Sequence, residues 1–156
     1  MSPASPTYLI ATCFGIGNIP IAPGTLASIA TLPFVYLIEK TYGSAGLLFF
    51  GSSIFVVGCY VSGRYAKLKQ QTDPSSVVID EVSGQILTFC FIPITFWSLV
   101  VGFLLFRAFD IFKPWPINIA DKRIKGGFGI MIDDMLAAGY ASFTLYVMNR
   151  FVWQGV

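Results

Sequence analysis

Four apolar runs, residues 25–38, 47–61, 86–106 and 130–148, dominate the chain and leave three polar stretches between them, 39–44, 64–80 and 107–129. A bilayer-spanning helix needs roughly 17–25 apolar residues. The second and third runs fall near that length, and the fourth does if Asp133 and Asp134 face protein. The first is short unless residues before Pro23 extend it. Only 12% of the 156 residues are charged and 55% are hydrophobic, so the apolar surface exceeds what one small core can hide. That composition is the opposite of a disordered chain. No internal repeat or low-complexity segment divides it. The expected fold is all-α, a compact multi-helix membrane bundle of about four apolar helical segments, with residues 1–156 forming a single domain.

Charge placement refines this expectation. Were all four runs to cross, Arg64, Lys67 and Lys69 would lie on the opposite side from Lys113, Lys122, Arg123 and Lys125, against the positive-inside rule. Pro93 breaks the third run near its middle. A re-entrant hairpin bent there, with arms of about 15 Å, returns both basic stretches to the cytoplasmic face. Its bent backbone must then be covered by the other helices. The N-terminus, MSPASPTYLIATCFG, lacks the basic start of a secretory signal and is read as mature protein, with the path of residues 1–24 left open.

The residue inventory excludes much chemistry. There is no histidine, which removes imidazole nucleophiles, Ser-His and Cys-His pairs and histidine metal ligands. Cys13, Cys59 and Cys90 have no paired spacing and read as small buried hydrophobes. A net charge of +2, without a basic run carrying interleaved aromatics, gives no footprint for nucleic acid. The chain has no P-loop, no DxDxT stretch, and four rather than five residues between Cys59 and Arg64, so the common phosphate-handling motifs are missing.

What remains is carboxylate. Asp80 and Glu81 are adjacent, as are Asp133 and Asp134, and Asp110 and Asp121 lie between the third and fourth runs. Ionisable groups at membrane depth are costly and are functional candidates by default. The plainer reading is helix-dipole stabilisation, worth about 0.3–1 kcal/mol per charge. A bend at Pro93 would gather carboxylates from three parts of the chain on one cytoplasmic face, as oxygen ligation of a hard cation such as Mg²⁺ requires. Arg107, Asp110 and Lys113 recur every three residues along one helix side. They form either an ordinary Arg107–Asp110 pair or, beside metal ligands, a surface for a phosphate group. Two glycine-rich segments, 15–28 and 125–134, each precede an apolar run. Their backbone N–H groups, with Thr25 and Ser28 hydroxyls in the first, can cradle an anion, and turns with close helix packing are the competing explanation. Metal-assisted displacement by water is the phosphate chemistry these residues leave open.

Four segments, GIGNIPIAPGTLAS (15–28), IDEVSG (79–84), FRAFDIFKPWPI (106–117) and GGFGIMIDDMLA (126–137), stand in an order and spacing that resembles the phosphatidylglycerophosphatase A family of bacterial inner-membrane lipid phosphatases. The resemblance implies Mg²⁺-dependent hydrolysis of phosphatidylglycerophosphate to phosphatidylglycerol and phosphate, by a multi-pass protein whose site faces the cytoplasm. It further implies Asp80, Glu81, Asp133 and Asp134 around one or two Mg²⁺, with Asp110 as a further catalytic carboxylate that ligates or aligns Arg107. Arg107 and Lys113 would neutralise phosphoryl oxygens, and Thr25, Gly126 and Gly127 would hold the phosphate. The expected partners are an anionic phospholipid and the bilayer, with no nucleic acid. Alternatives are a phosphatase for another lipid or prenyl phosphate, a small membrane ion transporter, which would need charges near helix centres, and a structural membrane subunit.

Overall fold

The computed structural model describes residues 5–153, and among them the regular structure is helical. The N-terminal segment folds as a short helix, α1 (Pro6–Ala11), followed by a 3₁₀ turn (Ile16–Asn18). Ser5 caps α1 by accepting from the Tyr8 N–H at 3.3 Å, and Pro6 stands where a helix tolerates proline. Ala11 packs with Val61, Tyr65 and Ile79, which ties this segment to the bundle.

The first two apolar runs join in one long element, α2 (Pro23–Lys69). At Gly43 the backbone leaves the helix with φ 65° and ψ −165°, a conformation that side-chain-bearing residues rarely adopt. Residues 23–42 and 44–69 are therefore two arms. Val35 of the first and Leu47 of the second share one core with Ile86, and Phe34 and Ile38 face Phe50 and Ile54 across one cavity. In the polar stretch 39–44 a single glycine suffices to reverse the chain, and its neighbours stay helical.

The third run is not one helix. Only residues 86–87 of it are helical on the N-terminal side, as the end of α3 (Ile79–Leu87); residues 88–95 form turns and residues 96–106 belong to α4 (Phe96–Phe112), so the run does not supply the two arms of about 15 Å expected on either side of Pro93. The break begins before Pro93, where the last α3 carbonyls accept tighter bonds, from Phe89 N–H to Ile86 and from Cys90 N–H to Leu87, both 3.3 Å. α4 opens on a capping box, Thr95 Oγ1 accepting from Ser98 N–H at 3.0 Å and Ser98 Oγ from Thr95 N–H at 2.7 Å. The two helices lie side by side with the chain reversed: Glu81 meets Arg107, Gly84 meets Phe106, and Phe89 meets Gly102.

α5 (Ile117–Arg123) leads into α6 (Gly126–Met148), which packs on α2, α3, α4 and α5. α6 runs antiparallel to α4, with Lys113 against Asp133 at one end and Gly102 against Leu145 at the other. The basic end of α2 and the α5 segment come to the same end of the bundle, where Thr72 and Asp73 share a small pocket with Asp121 and Lys125. Among the described residues, α2 is the one helix long and apolar enough to cross a membrane.

Candidate active site

Three elements deliver the acidic residues. The first turn of α3 carries Asp80 and Glu81, the third turn of α6 carries Asp133 and Asp134, and the end of α4 carries Arg107 and Asp110. Carboxylate oxygens of Asp80, Glu81 and Asp134 lie within 4.8 Å of one another. The Glu81 N–H also donates to Asp80 Oδ1 at 3.1 Å, which orients the α3 pair. Arg107 closes one side, its Nη1 2.7 Å from Asp110 Oδ2 and 3.8 Å from Glu81 Oε1.

A second ionic group stands beside the first. Lys113 Nζ lies 2.6 Å from both Asp121 Oδ1 and Asp133 Oδ2. Even spacing along α4 predicts Lys113 on the same side as Arg107. It is instead the C-cap of α4, with φ 43°, and the turn out of the helix carries its side chain toward α5 and α6. Asp133 thus takes the lysine, and Asp134 joins the α3 carboxylates. Burial opposes the charge on Lys113, but its bonds to Asp121 and Asp133 outweigh this and hold its pKa above the ordinary lysine value.

The cluster has more negative than positive charge. Five carboxylates (Asp80, Glu81, Asp110, Asp133 and Asp134) face Arg107 and a lysine that is also shared with Asp121. Burial first, then the neighbouring Glu81 charge, pushes the Asp80 carboxyl well above its usual range. Glu81 Oε2, Asp133 Oδ1 and Asp134 Oδ2 are buried without a hydrogen-bond partner. Buried oxygens are rarely left so. An all-oxygen donor set with unused lone pairs and surplus negative charge fits a hard divalent cation such as Mg²⁺.

The remaining candidates sit around this core. Thr25 lies in the first turn of α2 beside Gly24. A Cβ on Gly24 would collide with the Glu81 carboxylate and stand 3.4 Å from Arg107 Nη1, so this glycine forms the wall of the site. Ser28 is fully buried and donates to the Gly24 carbonyl at 2.9 Å, a structural bond. Gly126 has φ +78° and opens α6. Gly127 is pressed against the Cys59 carbonyl and Gly63 of α2, which is the packing explanation for that glycine pair. Both line a cavity with Arg64 and Lys67, and Gly126 also borders the small pocket that reaches Asp133.

Three residues escaped the sequence reading. Gly24 was hidden in a glycine-rich segment, and Asp121 was noted without a partner. Gln85, one turn beyond Glu81, is fully buried with neither amide atom paired. Its spacing of four from Glu81 was the available signal.

The phosphatidylglycerophosphatase A family model matches residues 9–149. Phosphatidylglycerophosphatase A of Escherichia coli is 38% identical over 152 residues, covering 94% of this chain and 86% of that protein. The Haemophilus influenzae protein of the same name is 37% identical over 146 residues, covering 93% and 90%. A Bacteroides thetaiotaomicron protein provisionally named a phosphatidylinositol-3-phosphatase is 37% identical over 155 residues, covering 92% and 93%. No solved structure matches the chain. With residues 9–149 matched, and with all four of the motif segments inside that match, the chain belongs to the phosphatidylglycerophosphatase A family.

Proposed function

We propose that this protein is a Mg²⁺-dependent phosphatidylglycerophosphatase of the bacterial inner membrane. The observation that carries the proposal is the meeting of Asp80, Glu81 and Asp134 beside Arg107, in a chain that belongs to this family. Those three carboxylates would hold the cation, with Asp133 and Asp110 at its edges. When bound, Mg²⁺ supplies positive charge for a phosphoryl group and acidifies water. Arg107 offers a planar guanidinium to the phosphoryl oxygens, and Asp110, 2.7 Å away, holds it in position. Lys113, steadied by Asp121 and Asp133, presents a second cation at the rim. Gly24 lets Glu81 and Arg107 come up against the start of α2, where the Thr25 hydroxyl would bind the phosphate.

The membrane reading has its own support. Phe14, Phe49, Tyr60, Phe143 and both Trp97 and Trp115 are more than 60% exposed, a surface that a soluble monomer rarely carries. α4 is bounded by Phe96 and Trp97 at one end and Phe112 and Trp115 at the other, about 25 Å apart along a helix, as interfacial aromatic anchors are. We read the arms of α2 and α6 as crossing, and α3, the turn after it and α4 together as an element that enters from the cytoplasmic face and returns to it, covered by α2 and α6. Both basic stretches then face the cytoplasm with the carboxylates. The carboxylates, Arg107 and Lys113 gathered at one end of the bundle favour a headgroup site over an ion pathway.

Phosphate release by detergent-purified protein with Mg²⁺ tests the assignment, on phosphatidylglycerophosphate, phosphatidic acid, phosphatidylinositol 3-phosphate and a prenyl phosphate. The expected result is preferred turnover of the first. Preference for the inositol or prenyl lipid would reassign the substrate within the same chemistry, and no release from any lipid by folded protein would refute the phosphatase reading.

A further inference from the structure

We infer that the apolar groove between α1, the first arm of α2 and α3 receives one acyl chain of the substrate lipid while the headgroup reaches the carboxylates. The inference rests on the lipid-phosphatase reading and adds to it a second subsite. The groove has a volume of about 490 Å³ and its walls include Cys13, Ala27, Phe34, Phe50, Ile79 and Val82. Its place in the fold links it to the carboxylate cluster. Ile79 and Val82 flank Asp80 and Glu81 in the same nine-residue helix, so one short element presents carboxylates to the site and aliphatic side chains to the groove. Ala27 stands one turn from Gly24, the wall of the site. The Cys13 thiol on the groove wall donates to the Val78 carbonyl at 3.8 Å, two residues before Asp80.

The length is also suited to one chain. From Ala27 to Ile38 the groove follows α2 for about 16 Å. That is about half of a 30 Å hydrocarbon core, the depth of a single leaflet. Phe14 and Phe34 on the rim are 84% and 62% exposed, so a chain can enter sideways from lipid without leaving the apolar phase. The occupant is therefore an extended hydrocarbon chain whose polar end is an anionic phosphate ester.

Ala30 lines the groove, is exposed, and takes no part in the carboxylate site, so Ala30→Trp fills the groove from its open side. The expected result is a rise of tenfold or more in KM for dioleoyl phosphatidylglycerophosphate, with turnover of the deacylated, water-soluble headgroup ester unchanged. Unchanged KM for the lipid overturns the inference. A wild-type protein that hydrolyses neither substrate refutes the phosphatase reading instead, and a variant that loses both activities has failed to fold. In either of those cases the wild-type protein is photolabelled with phosphatidylglycerophosphate carrying a diazirine in one acyl chain. Adducts concentrated on Phe34, Phe50 and Ile54 support the groove, whereas labelling spread evenly to Phe49 and Phe143 overturns it.

Discussion

Replacing Gly24 by alanine separates the site from the fold. A Cβ there would stand 2.8 Å from Glu81 Cδ and closer still to Oε1, against about 3.5–4.0 Å for an ordinary contact. Glu81 must retreat by about 1 Å, and as the end of a flexible side chain it can do so without moving backbone. The helix itself gains, since alanine is favoured over glycine in helices by up to about 1 kcal/mol. Melting temperature should therefore hold or rise. Catalysis should not, because a 1 Å misplacement of a catalytic constellation costs about 100-fold, or about 2.7 kcal/mol in the barrier. The assay is phosphate release from phosphatidylglycerophosphate alongside a thermal melt in the same detergent. Glu81→Asp, one methylene shorter, should make the Gly24→Ala penalty disappear in the double variant, a coupling that only a direct contact produces. Activity of Gly24→Ala within threefold of wild type, with an unchanged melt, would refute the placement of Glu81 in the site.

Three further outcomes follow from the geometry. Asp134→Asn should lower kcat by at least about 100-fold and abolish any Mg²⁺-induced rise in melting temperature, measured as melts with and without Mg²⁺; a retained shift removes Asp134 from the ligand set. Lys113→Ala should raise KM about tenfold with kcat within a factor of a few, and unchanged values for both would rule out its phosphate role. Gly127→Ala should instead destabilise the bundle by about 1–3 kcal/mol, because its Cβ would meet the backbone of Cys59 and stand 2.6 Å from Gly63 N, where no flexible side chain can yield. A melt equal to that of wild type would show that α2 and α6 do not pack as described.

The helical class, the polar stretch 39–44 within which the chain turns, a break in the third run and the acidic pairs were legible from composition and spacing, whereas Gly43 as the turning residue was not. Which member of each pair faces which neighbour was not. Asp133 and Asp134 are about 100° apart around α6, and only the packing of α3 and the α4 cap decides that Asp134 meets Asp80 and Glu81 while Asp133 meets Lys113. Lys113 itself shows why regular spacing failed. Pro114 announces a helix end, but the left-handed turn at Lys113 re-aims the side chain by an amount that periodicity does not contain. The third apolar run looked long enough for a span because hydropathy is indifferent to the hydrogen-bond shift at residues 88–90 that ends α3 early. Gly24 gains its meaning from tertiary approach alone, and the spacing of four that puts Gln85 on the Glu81 side of α3 does not contain its burial without a partner.

The most direct measurement is phosphate release from phosphatidylglycerophosphate by EDTA-treated protein as Mg²⁺ is returned, with wild type and Asp134→Asn side by side. Saturable recovery of the wild type and no recovery of Asp134→Asn at any Mg²⁺ concentration is the result predicted by a cation held between α3 and α6. Wild-type turnover that persists in EDTA, or full recovery of the variant, would contradict it.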